Sequence, residues 1–508
     1  MLLGKKIKYI ILVLSIAFLI YLSRSLFDED NFVFLNQTYN ENLVLNVSID
    51  NQLCSYDKNS DTFYYSTAES DFRKWKIKLN SLYKLRYDIL QTGDNQYEIR
   101  AFNNEYYENI KLIVTTLPII DLQNLSFDSL FTLDTLPKVD ISSILEDLDE
   151  EIDYETVEYF ARFDDASRKP SKYENVGLKV RGASSILYPK KAYKMELKNK
   201  IEIFDLPKDD KFVLDALYVD KSKVRNLLAS DIWNSINDNQ TIQNDLNGEF
   251  VELFIDNKYV GLYVLKEKVD RSVTNISSDG LILKSTNHLY QRYIDSLLNL
   301  PNDYSPRDDS FLSFEIKQYD SDTFASFVGK LQRYYASYSY DSLSHSFDID
   351  NYINYMIFVS LISGSDNVDY NYYLSMHDSN SNIFITPWDL DLTFGLNVWN
   401  IYWNDEIFEN HITMESSSDI EWMNENITKN MDVKTFELMR DRYWELRKDI
   451  ITMDTINKHL DSYKKSIVDG GATLRDSDCW YYYDAEIEIE QIREWTKLRI
   501  EFLDEYFK

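Results

Sequence analysis

The chain has 508 residues, of which 44% are hydrophobic and 15% aromatic, with only 12 glycines and 8 prolines. This composition argues against long disordered stretches, and the length predicts two or three folded units. The formal net charge of −31 is spread along the chain, so nucleic acid is excluded as an expected partner, whereas a basic protein substrate or divalent cations would suit it.

The first 30 residues have the pattern of a membrane-targeting segment. Lys5, Lys6 and Lys8 precede the apolar run Tyr9 to Leu22. A positive start before a short apolar run is typical of a secretion signal or a single-span anchor, and the lack of a small-residue cleavage site favours an uncleaved anchor. Lysines before the run place the N-terminus in the cytoplasm. We therefore expect a membrane-anchored or secreted protein with most of its chain extracytoplasmic.

Residues 31–117 are predicted to form a small β-sandwich. Short alternating runs such as LVLNVSI (Leu43 to Ile49) and WKIKL (Trp75 to Leu79) are broken by Asn, Asp and Ser, which is the pattern of short antiparallel strands. The acidic stretch from Asp121 to Asp153 is interpreted as a linker or as the first edge of the next domain.

The next part of the chain predicts strands, one helix and a hairpin. Strand patterns cover Val157 to Phe163, Val176 to Gly182 and Ala192 to Lys198, and helical spacing follows from Ser222 to Ile236. Two further strands, VELFIDN and YVGLYVLKEKV, are joined by a turn at Asp256 to Lys258. The absence of alternating βαβ units argues against a Rossmann sheet and favours an α+β lobe.

The C-terminal part is predicted to be mostly helical. Helical patterns begin near Asp322 to Tyr335 and continue in an apolar helix from Asn351 to Gly364, with Asp348 or Asp350 as its N-cap. Apolar residues at three- and four-residue spacing recur up to the C-terminus, at Phe436, Met439, Tyr443, Ile492, Trp495, Leu498 and Phe502.

Two acidic motifs flank a predicted hairpin in this part. SDNVDYNYYL contains Asp366, Asp369 and Asn371, and PWDLDLTFG contains Asp389 and Asp391. Asp389 and Asp391 are one strand period apart, so in a β-strand both would leave the same face. Phosphoryl transfer needs a carboxylate for the acceptor hydroxyl and further oxygen ligands for magnesium. Asn371 stands five residues after Asp366, the spacing of the catalytic Asp and metal-binding Asn in protein kinases.

A kinase site also needs a cation on a strand of the first lobe. In PKKAYKMELK, Lys191 precedes a predicted strand and Lys194 lies within it, while the turn RGASS from Arg181 to Ser185 offers backbone N–H groups to phosphate oxygens. Solvated lysines on an amphipathic edge strand are the alternative explanation of this motif.

Several ordered blocks resemble the spore-coat protein H (CotH) kinase family. They are VRGASSILYPKKAYKMEL, DKSKVRNLLASDIW, VELFIDNKYVGLYVLKEKVDR, DNVDYNYYL and PWDLDLTFG, and the resemblance extends from about Leu117 to Lys508. It implies an α+β, atypical protein-kinase-like domain over residues 118–508, with a β-rich first lobe (118–270) and a mostly helical second lobe (271–508). The β-sandwich and the N-terminal anchor precede it.

The resemblance also implies roles for single residues. Asp366 corresponds to the loop acid of the family, and the metal set consists of Asp389, Asn371 and Asp391, the last either as a second ligand or as a supporting acid. ATP and Mg²⁺ or Mn²⁺ are the implied cofactors, and serine or threonine of another protein is the acceptor. Arg181 and one of the family's lysines, which fall on Lys190, Lys191 and Lys194, would contact ATP. Lys194 is preferred because the interior of a strand fixes its position better. The helix from Ser222 lacks a glutamate for this lysine, and Glu252 or Glu267 are possible substitutes.

The sequence is also compatible with two other functions. ATP is scarce outside the cell, so a surface adhesion or coat-assembly protein on the same fold is the alternative to a kinase. A glycosidase would need only a pair of carboxylates, but we see no organised sugar subsites in the sequence. For the kinase, an acidic surface favours a basic, serine-containing protein substrate.

Overall fold

The computed structural model describes residues 38–39, 43–124, 155–166, 169, 171–182, 184–237, 245–286, 291–301, 304–306, 309–368, 370–396 and 423–508. The predicted N-terminal anchor and Asp369 lie outside these residues, as does most of the predicted acidic linker. Within them, no helix has both the length and the apolar character needed to cross a membrane. The chain divides into two compact units. The first consists of Met1–Asp121, Asp164–Lys172 and Phe254–Tyr259. The second consists of Leu122–Phe163, Tyr173–Leu253 and Val260–Lys508.

The first unit is built from strands that enclose one apolar core. The strands are β1 (Thr38–Tyr39), β2 (Asn46–Ile49), β3 (Gln52–Leu53), β4 (Ser55–Asp57), β5 (Thr62–Ser66), β6 (Ile77–Asn80), β7 (Arg86–Gly93), β8 (Gln96–Phe102) and β9 (Tyr106–Thr115). One sheet has the order β4-β5-β9-β8-β7, with β1 paired to β9, and a second has the order β3-β2-β6. Val47, Ile99 and Leu112 from these two sheets are buried in one cluster, together with Trp75 from the segment before β6.

A closed barrel follows, and most of its residues belong to the second unit. Its strands are β10 (Ile119–Asn124), β11 (Val157–Asp164), β12 (Lys172–Arg181), β13 (Ala192–Ile203), β14 (Leu206–Asp215), β15 (Gly248–Ile255) and β16 (Lys258–Glu267). Their order around the barrel is β10-β11-β12-β13-β14-β16-β15. The predicted turn between β15 and β16 is present, with Asp256 and Asn257 at φ 51 and 58, the left-handed conformation that Asp and Asn tolerate and two-residue hairpins require.

The register of the barrel places four residues in one row. Lys179 on β12 is opposite Lys194 on β13, Lys194 is opposite Val213 on β14, and Val213 is opposite Lys266 on β16. Directly opposed residues on antiparallel strands leave the same face of a sheet. Arg181 and Asp215, each two residues along its strand, therefore share that face with the lysines.

The rest of the second unit combines a second sheet with helices. The sheet has the order β18-β19-β17-β20-β21, with β17 (Leu281–Ser285), β18 (Ser310–Phe311), β19 (Phe314–Gln318), β20 (Tyr372–Met376) and β21 (Phe384–Pro387). The α-helices are α1 (Arg225–Asn237), α2 (Gln291–Leu298), α3 (Ser321–Ser337), α4 (Tyr340–Ser344), α5 (Ile349–Ile362), α6 (Val433–Leu446), α7 (Met453–Tyr463), α8 (Ala472–Cys479) and α9 (Ala485–Tyr506).

Helix α5 is the central helix of this unit. Its side chains are almost all buried, and it packs against α1, α6, α9 and β21. The carboxylate of Asp348 accepts a hydrogen bond from the backbone N–H of Asn351, so Asp348 is the N-cap, one of the two predicted candidates. The mixed α+β class is confirmed, and the two-lobed kinase-like arrangement stays a prediction.

Candidate active site

The loop after α5 carries Asp366. Helix α5 ends at Ser363, which is left-handed at φ 50, and Gly364 leads into a 3₁₀ turn over Ser365–Asn367. Asp366 is half-buried in this turn. The turn directly follows a helix whose side chains are mostly buried, so the backbone of the turn is anchored to the core.

Asn367 ties this turn to the segment that carries Asp389. Its side-chain amide is buried and donates hydrogen bonds to the carbonyl oxygens of Asn371 and Trp388, both at 2.9 Å. Its own carbonyl accepts a hydrogen bond of 2.6 Å from the hydroxyl of Tyr355 on α5. One buried amide therefore holds the Asp366 turn, the start of β20 and the end of β21 together. Sequence reasoning missed Asn367, although an amide directly after the loop acid was a visible signal.

Asn371 is fixed mainly through its backbone. It is left-handed at φ 44, and its carbonyl accepts from the backbone N–H of Trp388 at 3.0 Å as well as from Asn367. Its side chain is half-buried. The predicted amide ligand, Asn371, therefore lies beside the segment that carries Asp389.

The expectation that Asp389 and Asp391 leave one face of a strand was wrong. Strand β21 ends at Pro387, and Asp389 is left-handed at φ 57, which takes the chain out of the sheet. Asp389 is exposed, whereas Asp391 is half-buried. Burial, followed by repulsion from Asp389 and Asp215, holds the pKa of Asp391 well above its usual range. The two acids are therefore close in space but differ in environment.

Tyr370 is a further group between the two acidic motifs. Burial, and after it the charges of Asp389 and Asp366, raise the pKa of its phenol. Both carboxylates must lie near this ring to do so. Asp366 and Asp389, twenty-three residues apart in the sequence, are thus both brought near one tyrosine.

The face of the barrel that carries the lysine row supplies cations to Trp388. The ammonium of Lys266 lies 4.9 Å from the centre of the Trp388 ring, and the guanidinium of Arg181 lies 5.4 Å from it. Lys266 also forms an ion pair of 2.7 Å with Asp215, whose same oxygen accepts from the Asn226 amide at 3.2 Å. The buried ring precedes Asp389 directly, so these cations lie beside the acidic segment.

Lys284 adds a third cation from the second sheet. It lies opposite Tyr373 on β20. Burial and the nearby Arg181 lower the pKa of its ammonium, and Asp389 opposes them. Arg181, Lys266 and Lys284 therefore approach the segment of Trp388 and Asp389 from two different sheets. Lys266 and Lys284 were not among the residues predicted from sequence.

The lysines predicted from sequence have other partners. Lys194 is on the same barrel face as Lys266, and its ammonium pairs with Glu196 at 2.6 Å. Lys191 is buried and donates to the carbonyl oxygens of Ile186 and Tyr188, both at 2.6 Å. The ammonium of Lys191 thus stabilises the turn before β13.

The acids considered as partners for a site lysine are also engaged elsewhere. Glu252 pairs with Arg475 of helix α8, with an Arg475 Nε to Oε1 distance of 2.7 Å. Glu267 accepts a hydrogen bond of 2.9 Å from the Asn247 amide, and burial raises its pKa to about 7. The partner of Lys266 is Asp215, on the neighbouring strand.

A buried ion pair positions the segment after Asp391. The Asp220 carboxylate accepts from the Arg225 guanidinium at 2.6 Å and from the backbone N–H of Arg225 at 2.9 Å. The Nε of Arg225 donates to the carbonyl of Thr393 at 3.1 Å. The block DKSKVRN, notable in the sequence only through the family resemblance, therefore joins the start of α1 to the PWDLDLTF segment.

The donor set suits a hard divalent cation. In the described part of the chain, no three His, Cys, Asp or Glu side chains are grouped so as to hold a metal ion. Asp389, Asp391 and Asn371 supply oxygen ligands only, as Mg²⁺ and Mn²⁺ prefer, and such ions complete their shells with water and phosphate oxygens. Burial is the main reason for the raised pKa of Asp391, and a bound cation would relieve the smaller contribution, which is repulsion from Asp389. The residues present fit such an ion.

The chain is therefore an α+β protein in which a loop acid, a second acidic segment after a hairpin and cations from a barrel face lie in one region. A family model described as CotH kinase protein matches residues 178–503, which is most of the chain. The chain belongs to the CotH kinase family. All seven site residues predicted from sequence lie within the matched range. No curated protein matches the chain.

Proposed function

We propose that the protein is an ATP-dependent protein kinase that phosphorylates serine or threonine of secreted, surface or coat proteins. The observation that carries this proposal is the Asn367 amide, which joins the Asp366 turn to the Asp389 segment through two hydrogen bonds of 2.9 Å. It keeps the acid for the acceptor and the acids for the metal within one small region. A protein that only bound a partner would have no need of this pairing.

Each residue has a distinct task in the proposed reaction. Asp366 orients the acceptor hydroxyl and accepts its proton as the hydroxyl oxygen bonds to the γ-phosphorus and ADP departs with the bridging oxygen. Asp389 and Asn371 would hold Mg²⁺ or Mn²⁺, with Asp391 as a further ligand or support. When bound, the ion neutralises charge on the phosphate oxygens.

Lys266 is the lysine we assign to the phosphates. It lies beside Trp388, the residue before Asp389, and its ammonium forms an ion pair of 2.7 Å with the Asp215 carboxylate. Arg181 and Lys284 supply further positive charge around the same segment. Lys194 is less well supported, because it pairs with Glu196 and is separated from Lys266 by the strand of Val213.

The test uses the full chain with labelled ATP, Mn²⁺ or Mg²⁺, and a basic serine-containing peptide. We expect phosphate transfer that falls by about 10²- to 10⁴-fold in Asp366→Ala, the range for loss of a general base. In Asp389→Ala we expect loss of metal-dependent nucleotide binding. Glu437→Ala, on the exposed face of α6, is the matched control and should behave as the parent protein.

Two outcomes would contradict the kinase assignment. One is the absence of nucleotide binding and transfer in the parent protein, and the other is unchanged transfer in both aspartate variants. Attachment to cells or coat material that is retained in both variants would support the adhesion or assembly function. Thermal unfolding of each variant distinguishes loss of the site from loss of the fold.

A further inference from the structure

One corner of the first unit exposes an unusual amount of apolar surface. Leu82 has 88% of its surface exposed, Leu45 has 58% and Tyr83 has 47%. The backbone N–H of Leu45 donates to the carbonyl of Asn80 at 2.8 Å, so the segment of Leu45 runs beside the end of β6, directly before Leu82. We call Leu45, Leu82, Tyr83, Lys84 and Arg86 the Leu82 corner.

Cations follow these apolar residues. The stretch from Arg73 to Arg86 contains six lysines and arginines and no carboxylate, in a chain with a net charge of −31. Arg73 and Lys74 form ion pairs with Asp71 and Glu69, whereas Lys84 and Arg86 are exposed at the corner. Arg86 lies over the Phe102 ring at 5.0 Å. Two carboxylates stand near the corner, Glu105 in the neighbouring loop and Glu108, which accepts from the backbone N–H of Val44 at 2.7 Å. They offset charge of these cations, so Lys84 and Arg86 are suited to contacts with individual phosphates.

The chain enters the first unit at this corner. Thr38 of β1 is in register with Tyr106 of β9, and the Tyr106 ring lies 5.9 Å from the Tyr83 ring. Thr38 is eleven positions after Phe27, the last apolar residue of the N-terminal segment. A fully extended chain would hold it within about 40 Å of that residue. A membrane that held the N-terminal segment would therefore lie within reach of the corner.

We propose that the Leu82 corner inserts into the headgroup region of an anionic membrane. Leucines at the tip enter the acyl boundary, Tyr83 has the amphipathic ring that is enriched at this depth, and Lys84 and Arg86 contact lipid phosphates. The tether favours a membrane over a separate protein partner, because it keeps the corner near the lipid surface at all times. The proposal rests on membrane insertion of the run Tyr9 to Leu22 and is independent of kinase activity.

The test measures the depth of single spin labels in the full chain reconstituted into phosphatidylcholine–phosphatidylglycerol vesicles. Labels are placed at Leu82→Cys and, as the matched control, at Leu90→Cys, both in a Cys479→Ser background. Leu90 is 64% exposed but lies four residues along β7 from Arg86, about 13 Å further from the corner. We expect the Leu82 label to be accessible to oxygen and shielded from a polar nickel complex, and the Leu90 label to be accessible to both.

Charge reversal and lipid composition complete the experiment. Lys84→Glu with Arg86→Glu, or vesicles of phosphatidylcholine alone, should return the Leu82 label to the aqueous signal. Equal signals at positions 82 and 90, or a protein that does not remain with the vesicles, would overturn the proposal. Shielding of the Leu82 label from both reagents would also overturn it, since that pattern indicates contact with protein.

Discussion

Lys266 and its partner Asp215 show why the sequence pattern alone does not identify the lysine of the site. Both Lys194 and Lys266 lie inside strands and follow an apolar or aromatic residue, so the local pattern does not show which of them contacts the phosphates. The register places them on one barrel face with Val213 between them. What distinguishes them is the partner of each ammonium. Lys266, beside Trp388, pairs with the half-buried Asp215 of the neighbouring strand, and Lys194 pairs with Glu196 of its own strand.

The first prediction concerns these two lysines. Lys266→Met should weaken binding of ATP with Mn²⁺ by ten- to a hundredfold, because hydrogen bonds to a charged group contribute about 1.5–3 kcal/mol. Lys194→Met, the matched variant on the same face, should change the affinity by less than about twofold, since it removes only an ion pair of the exposed kind. Isothermal titration calorimetry measures both. A larger loss in Lys194→Met would transfer the phosphate role to that lysine.

Glu267 provides a test of buried charge near the site. Burial, with repulsion from Asp209 and Asp245, raises its pKa from 4.5 to about 7. The folded protein therefore binds more protons than the unfolded chain between these values. The stabilising effect of the neutral carboxyl is complete below about pH 4.5, and it is lost as the pH rises through about 7.

The second prediction follows from the upward shift of the Glu267 pKa. The free energy of unfolding should fall across the window from pH 4.5 to 7 by an amount on the order of 1–3 kcal/mol from this group. Glu267→Gln should flatten that part of the profile and raise stability at pH 8, as measured by urea denaturation at several pH values. Glu501→Gln, an exposed control on α9, should leave the slope as it is in the parent. An unchanged slope in Glu267→Gln would show that Glu267 does not cause the fall in stability across this pH window.

At the scale of elements, the segment after β21 differs most from its prediction. The alternation of PWDLDLTFG is that of a strand, but the left-handed Asp389 ends the pairing after Pro387. The loop is instead held by contacts from distant elements, with Asn367 at the carbonyl of Trp388 and Arg225 at that of Thr393. Long-range hydrogen bonds of this kind leave no local periodicity to detect.

The third prediction concerns the Asp220–Arg225 pair. Arg225→Leu should lower the free energy of unfolding by about 3–5 kcal/mol, because it leaves the Asp220 carboxylate buried without its guanidinium. Lys448→Ala, an exposed cation after α6, should change stability by less than about 0.5 kcal/mol. Urea denaturation measures both.

Nucleotide binding gives the same prediction a second readout. In the folded fraction of Arg225→Leu, affinity for ATP with Mn²⁺ should also fall, because Thr393 loses the donor that positions its segment. A variant that is destabilised but binds nucleotide normally would restrict Arg225 to a structural role in α1.

At the scale of the whole molecule, charge is the dominant property. A net charge of −31 produces a field that attracts cationic peptides and repels anionic ones. Because exposed charges are screened over a Debye length of about 8–10 Å at physiological salt, the effect depends on ionic strength.

The fourth prediction is a salt-dependent choice of substrate. A basic serine peptide should be phosphorylated with a higher kcat/KM than an acidic peptide of the same length. The difference should shrink by at least about threefold between 50 mM and 500 mM salt, because screening acts on long-range attraction. Initial rates at several salt concentrations provide the measurement. A preference for the acidic peptide, or one that salt does not alter, would contradict a substrate choice made by the overall field.

Local periodicity, turn chemistry and ordered motifs in the sequence were sufficient to predict the α+β class, the α5 helix with Asp348 or Asp350 as its cap, the β15–β16 hairpin and the family. Spacing also led to the prediction of Asp366, Asn371 and Asp389 as site residues. The tertiary structure decided which groups surround them. Tyr370, Lys266 and Lys284 approach the acids from a loop, a barrel and a second sheet, and Asn367 and Arg225 hold the two acidic segments in place. Such groupings depend on strand register and on buried hydrogen bonds between residues far apart in the chain, which a linear pattern does not contain.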